Sequence, residues 1–459
     1  MNERDTSQER IGVEDPATGA VFAEVPVCSP AELDRTAGAA AAAAPGWARL
    51  SLQDRRKALL ACGRTLAAHR DELAGLLTRE QGKPLRGALG EIGLAADWFG
   101  HTAELGLEPE RLVDEPGAEI TLERVPHGVV AALAPFNFPI ILAVTKLAPA
   151  LLAGNTAILK PSPLTPLSSL RMVELLREVL PPGVLAAVTG GAGPGAALCA
   201  HPAVRLISFT GSIPVGREIA RHAAAEFKRV VLELGGNDPA IVLPGADVDG
   251  IADALFDRAL ENSGQFCAAI KRIYVSHAQR ADLVDALAAR ARNTVVGPGA
   301  EPATDLGPLA GRAQRDRVHE LVTEARRAGA RVVTGGRLPA GPGYFYPPTV
   351  VTDLPEGTRL ETTEQFGPVI PVLGYSTVDE AVARANATEF GLGASVWGDE
   401  RNARGVADAL DCGTVWINTH GDLRPTVPFG GARCSGTGVE YGYWGLLEYT
   451  RIKVRNVRG

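Results

Sequence analysis

The sequence has no apolar run long enough to cross a bilayer. Its longest apolar region, residues 129–144, is broken by Pro135, Asn137 and Pro139, whereas a membrane helix needs about 20 consecutive apolar residues. Basic runs are missing too: 46 Lys and Arg face 53 Asp and Glu, a net charge of −7, so neither nucleic acid nor an anionic membrane is an expected partner. The most basic segment is the tail, where Arg451, Lys453, Arg455 and Arg458 are interleaved with Ile452, Val454 and Val457, as on an exposed strand face. Cysteine is sparse: Cys28, Cys62, Cys199, Cys267, Cys412 and Cys434 are scattered, with no CxxC spacing. That pattern is neither a disulfide framework nor a zinc site, and no metal is expected. The first ten residues are polar and charged, without the apolar core of a secretory leader. The combined expectation is a cytoplasmic, reduced protein whose cysteines can act as thiolates.

What is present is ordinary globular material, 46% apolar and 22% charged over 459 residues, enough for two or three domains. Residues 12–26 read as a hairpin about Asp15-Pro16-Ala17-Thr18-Gly19. Ser29-Pro30-Ala31-Glu32 is a capping box opening an alanine-rich helix expected to stop at Pro45-Gly46. One helix follows from Ser51, carrying leucines as far as Leu77, and another covers roughly residues 85–105. Residues 119–125 alternate as a half-exposed strand. Short apolar strands then alternate with helices: strands at 129–135, 156–160, 186–189, 206–209 and 230–234, helices at 140–152, 168–179, around Ala196, and 215–225. Such alternation predicts a doubly wound parallel sheet, with ligands beyond the strands' carboxyl ends. A second α/β run, residues 240–417, predicts a second domain beginning near Gly235-Gly236.

Two reactive side chains stand out. Cys267 follows the polar segment Glu261-Asn262-Ser263-Gly264-Gln265, and Glu233 ends the apolar strand that precedes Gly235-Gly236. A carboxylate there is costly unless paired or used, and burial raises its pKa toward that of a general base. Thiol plus tuned carboxylate suggests covalent acyl chemistry resolved by water. Asn137, between Pro135-Phe136 and Phe138-Pro139, is held stiffly enough to serve as an oxyanion donor, although an asparagine serving a turn is the commoner case. Gly191-Ala192-Gly193-Pro194-Gly195-Ala196 satisfies GxGxxA, but no acidic residue occurs near positions 211–216, so a plain dinucleotide fingerprint fails. Phe209-Thr210-Gly211-Ser212 fits better, placing amides and a hydroxyl at a helix amino end. Lys160 brings a cation to a strand's carboxyl end.

Taken in order, Pro135-Phe136-Asn137-Phe138-Pro139, Lys160-Pro161-Ser162, Phe209-Thr210-Gly211-Ser212 with Gly216, Glu233-Leu234-Gly235-Gly236, Gly264-Gln265-Phe266-Cys267, Glu364-Gln365-Phe366-Gly367-Pro368 and Pro428-Phe429-Gly430-Gly431 resemble the NAD(P)-dependent aldehyde dehydrogenase superfamily over nearly the whole chain. The resemblance implies that Cys267 attacks an aldehyde, that Asn137 and the Cys267 amide hold the oxyanion, and that Glu233 activates the hydrolytic water. It implies that Lys146 assists proton transfer. Phe136, Lys160, Ser162, Pro163, Phe209, Gly211, Ser212, Leu234, Glu364 and Phe366 would line the cofactor site, with Gly191 and Gly195 on its adenine side. The implied architecture is a Rossmann-like cofactor domain (1–106 and 127–234), an α/β catalytic domain (235–435), and a small β oligomerisation arm with the tail (107–126 and 436–459). The implied assembly is a homodimer or homotetramer. NAD is the expected cofactor; NADP stays open because Pro163 stands where many NAD-preferring members carry glutamate. Phe266 and Thr145 suggest a reshaped tunnel mouth, and Arg424 is a candidate reader of an acidic substrate end. The rival readings are a CoA-acylating semialdehyde dehydrogenase, disfavoured by Glu233, and a non-catalytic binding protein of the same fold.

Overall fold

The computed structural model describes residues 9–458, so most of the polar amino-terminal stretch lies outside the described residues. A six-stranded sheet runs in the order Gly436–Thr437, Arg229–Glu233, Val204–Thr210, Val129–Leu133, Thr156–Lys160 and Leu185–Ala187, parallel except at the first strand. A seven-stranded sheet has the order Arg331–Thr334, Thr349–Thr352, Val369–Tyr375, Ile270–Ser276, Asp238–Val242, Gly393–Trp397 and Thr414–Ile417, again antiparallel only at its first strand. These are the doubly wound sheets expected from the strand–helix alternation. The half-exposed strand is Ala118–Pro126; it pairs antiparallel with Glu110–Glu115 on one side and with the tail strand Thr450–Arg458 on the other.

Residues 234–237 carry the chain from one sheet to the other, and space there requires glycine at 236, while a side chain at 235 would have to displace the Glu364 carboxylate. A Cβ on Gly235 would lie 2.4 Å from Glu364 Oε2, and one on Gly236 would lie 2.6 Å from the Cys267 carbonyl oxygen. The crossing therefore presses the end of the first sheet against the Cys267 loop in the second lobe, the part of the chain built on the seven-stranded sheet. Beneath it runs the helix Pro139–Leu152, of which only Leu142 is not buried. A helix covered on every side reads as a continuous apolar run, and each fully buried leucine in it contributes roughly 1.5–3 kcal/mol.

Two helix boundaries differ from expectation. The first helix does not stop at Pro45-Gly46 but runs over Pro30–Arg49. Its last turn is held by Trp47, buried and donating its indole N–H to Leu151 O at 3.0 Å, an anchor that outweighs the hydrogen bond lost at proline. The leucine-bearing helix after Ser51 is two helices, Leu52–Ala68 and Arg70–Gln81, because His69 leaves helical geometry (φ −109°, ψ 22°).

Candidate active site

The cofactor-side motifs converge on one cleft of about 360 Å³ between the two sheets, with Cys267 in its lining. One wall holds Phe136, Asn137, Lys160, Ser162, Pro163, Phe209, Gly211, Ser212 and Leu234, and the other holds Glu364 and Phe366. The Phe136 and Phe366 rings meet edge to face across it at 5.8 Å. Ser212 caps the helix Ile213–Ala225, yet its hydroxyl makes no capping bond, so a hydroxyl and the helix's amino end both face the cleft. Gly216 makes room for Leu234: a Cβ there would lie 2.6 Å from Leu234 Cδ2. Lys160 is buried with its ammonium donating only to Pro161 O, at 3.1 Å. Burial pulls its pKa down to about 8. A buried cation with no carboxylate partner beside a helix amino end suits a phosphate-bearing dinucleotide.

Gly191 and Gly195 are not in the cleft lining. Gly191 caps the helix Ala192–Ala200, and Gly195 backs the Lys160 side chain, where a Cβ would lie 3.5 Å from Lys160 Cε.

Cys267 is partly buried and follows the one-turn helix Glu261–Gly264, in which Asn262 (φ 51°) and Ser263 (φ 59°) are left-handed. Burial pushes its thiol pKa up, and the Glu233, Glu364 and Asp238 carboxylates push it further, against Lys271. Asn137, which lines the cleft with Cys267, donates one amide N–H to Gln265 O at 2.9 Å. Glu233 is buried, and its Oε1 has no hydrogen-bond partner. Burial and then the Glu440 charge raise its pKa, while Lys146 opposes them. Lys146 Nζ lies 2.5 Å from Glu440 Oε1 and donates to Thr210 Oγ1 at 2.6 Å.

The match to the aldehyde dehydrogenase family model spans residues 3–455. The chain belongs to this family. It is 38% identical over 451 residues to the glutarate-semialdehyde dehydrogenase of Pseudomonas aeruginosa, covering 97% of this chain and 93% of that one. Among solved structures it is similar to an NADP-dependent enzyme of E. coli (TM-score 0.95, 35% identity, 98% and 95% of the two chains covered). The NAD+ complex of an aldehyde dehydrogenase from Bacillus cereus is similarly close (TM-score 0.95, 34% identity, 98% and 93% covered). The protein is an NAD(P)-dependent aldehyde dehydrogenase.

Three further residues beside the candidate groups were not singled out from the sequence. Glu440, the counter-charge of Lys146, carried a usable signal: a lysine inside an otherwise apolar helix demands a buried acid somewhere. Gln314 and Arg317 also line the cleft; Gln314 donates to the carbonyls of Gln365 and Phe366, and Arg317 to that of Glu364. Arg424, offered as a substrate reader, is exposed, and two of its nitrogens bond Asp422 Oδ2 at 3.0 and 2.8 Å.

Proposed function

We propose that Cys267 is the nucleophile of a non-acylating aldehyde oxidation, with Asn137 as oxyanion donor and Glu233 as the base that activates water. The observation carrying this reading is that a thiol and a half-committed amide line the cleft together, and that the charge of a buried carboxylate, one of whose oxygens has no hydrogen-bond partner, reaches that thiol. The thiolate of Cys267 adds to the aldehyde carbon, and the free N–H of Asn137 with the Cys267 backbone amide receives the negative oxygen. Bound NAD(P) supplies the hydride acceptor. Lys160 and Ser162 would hold the adenosine ribose, Ser212 the pyrophosphate, and Glu364 the nicotinamide ribose, with Phe136, Phe366 and Leu234 packing alongside. No carboxylate stands at Pro163 to repel a 2′-phosphate, so the cleft admits NADP as well as NAD. Once Cys267 carries the acyl group, Glu233 takes a proton from water, the hydroxide attacks the thioester carbon, and the sulfur leaves as thiolate. The Lys146–Glu440 pair beside Glu233 passes that proton on.

Glu233→Gln should keep a single-turnover burst of NAD(P)H and lose steady-state turnover by at least about 10²-fold. Full steady-state activity in that variant would remove Glu233 as the base; recovery of turnover on adding CoA would favour the acylating rival. The exposed apolar residues of the tail strand, Ile452 (55%), Val454 (55%) and Val457 (48%), support assembly into a homodimer or homotetramer through this edge. All six cysteines are free, which suits a reducing cytoplasm. Among the described residues, no helix is long and apolar enough to cross a membrane.

A further inference from the structure

We infer that the buried Lys83–Glu91 pair and Asn262 together position Asn137, fixing the oxyanion donor relative to the nucleophile; this rests on the oxyanion role proposed for Asn137. Lys83 and Glu91 are 3% and 5% exposed. The Lys83 ammonium lies 2.5 Å from Glu91 Oε2, donates to the Asn137 carbonyl at 2.8 Å, and sits 4.0 Å from the centroid of the Phe138 ring. The other carboxylate oxygen, Glu91 Oε1, accepts the amides of Ile140 (2.9 Å) and Ile141 (3.2 Å) in the first turn of the helix Pro139–Leu152. Beyond their mutual contact, the hydrogen bonds of both charged groups thus go to residues 137–141.

A buried ion pair is frequently no more stable than apolar residues of the same volume. Stability alone is therefore a poor account of this one. Apolar side chains could fill the space, but they could not hold a peptide carbonyl in one place. The second lobe supplies the matching constraint. Asn262 Nδ2 donates to the same Asn137 carbonyl at 2.8 Å, and the Asn137 side-chain amide donates to Gln265 O. The anchors of both sets lie on one loop. Leu85 N bonds Gly299 O at 2.9 Å, Ser263 Oγ bonds Gly307 O at 2.8 Å, and Ala310 N bonds Gln265 Oε1 at 2.9 Å. Lys83 and the Cys267 turn are consequently referenced to a common frame across the lobe boundary.

Lys83, Glu91 and Asn262 are positioning residues; none touches the substrate in this scheme. The test uses two variants. Lys83→Met/Glu91→Gln removes both charges while keeping an acceptor for the helix amides, and Asn262→Ala removes the donor from the other lobe without stranding a charge. Each should slow the NAD(P)H burst by about 10²-fold, the scale of a 1 Å misplacement, with NAD(P) affinity and the rate of Cys267 alkylation by iodoacetamide unchanged. In an Asn137→Ala background the same substitutions should add no further loss. A parental burst rate in Asn262→Ala, or an undiminished loss in the Asn137→Ala background, overturns the inference while leaving Asn137 in its role. If Asn137→Ala itself keeps the full burst rate, the oxyanion assignment falls and this inference falls with it. Should the charge-pair variant fail to fold, Asn262→Ala and its combination with Asn137→Ala decide the matter alone.

Discussion

Replacing Glu440 by leucine strands the Lys146 ammonium in the protein interior. The two side chains are 0% and 1% exposed and 2.5 Å apart; among the described residues Thr210 Oγ1 would be the lysine's one remaining hydrogen-bond partner, with the Glu233 carboxyl near enough to feel its charge. Breaking a buried pair from one side costs about 3–5 kcal/mol. With an unfolding entropy of roughly 2.1 cal/mol/K per residue, the 459 residues give about 1 kcal/mol/K. A chain unfolding as one unit should therefore melt about 3–5 °C lower. Removing both charges in Lys146→Met/Glu440→Leu should return the melting temperature to the parent value or above it, because a well-packed apolar pair matches a buried salt bridge. Calorimetry of the three proteins at pH 7 without cofactor makes the comparison. A Glu440→Leu protein that melts with the parent would refute the argument that this lysine depends on its acid.

The same substitutions bear on the chemistry. In the role proposed for it, Glu233 would act as a base only when deprotonated, and burial together with the Glu440 charge holds its pKa above the ordinary carboxylate range. Thioester hydrolysis in the parent should slow as pH falls through that raised pKa. In Glu440→Gln one charge that raises it is gone, so the acid limb should move to lower pH. An acid limb that stays in place would separate Glu440 from Glu233 electrostatically. A double variant that is stable and also turns over at the parental rate would leave the pair a packing role only.

Two other perturbations probe the nucleophile. Burial pushes the Glu364 carboxyl up to about 7, and its charge is one of those that suppress the Cys267 thiolate. Glu364→Gln should speed iodoacetamide alkylation of the cofactor-free enzyme above about pH 7, with the advantage fading below it, where the parental carboxyl is already protonated; equal rates at pH 8 would remove the coupling. Gly264, at φ +74°, leaves no room for a side chain: a Cβ would lie 2.3 Å from the Gly367 carbonyl oxygen. Gly264→Ala should shift the Cys267 turn and cost about 10²-fold or more in kcat/KM, and parental kinetics would contradict the tightness of that contact.

How legible each part was in the sequence depends on where its constraint originates. Cys267, Glu233 and Asn137 sit where nearby glycines and prolines dictate the backbone, so short stretches of sequence carry their geometry. The strand at Thr156–Lys160 was legible for a related reason: apolar residues between a turn and a proline have few alternatives. Helix ends were less so, because Pro45 looks like a stop until Trp47, buried against Leu151, pulls the last turn inward. Pairings that span the chain leave almost no local trace. Lys146 and Glu440 are 294 positions apart and Lys83 and Asn137 are 54 apart, and nothing in the residues flanking either lysine names its partner. What the sequence does contain is a debt: a charged residue in an apolar helix, or a lysine wedged between Gly82 and Pro84, must be neutralised somewhere. The fold decides where, and in this chain it sets Glu440 beside Lys146 and Glu91 beside Lys83.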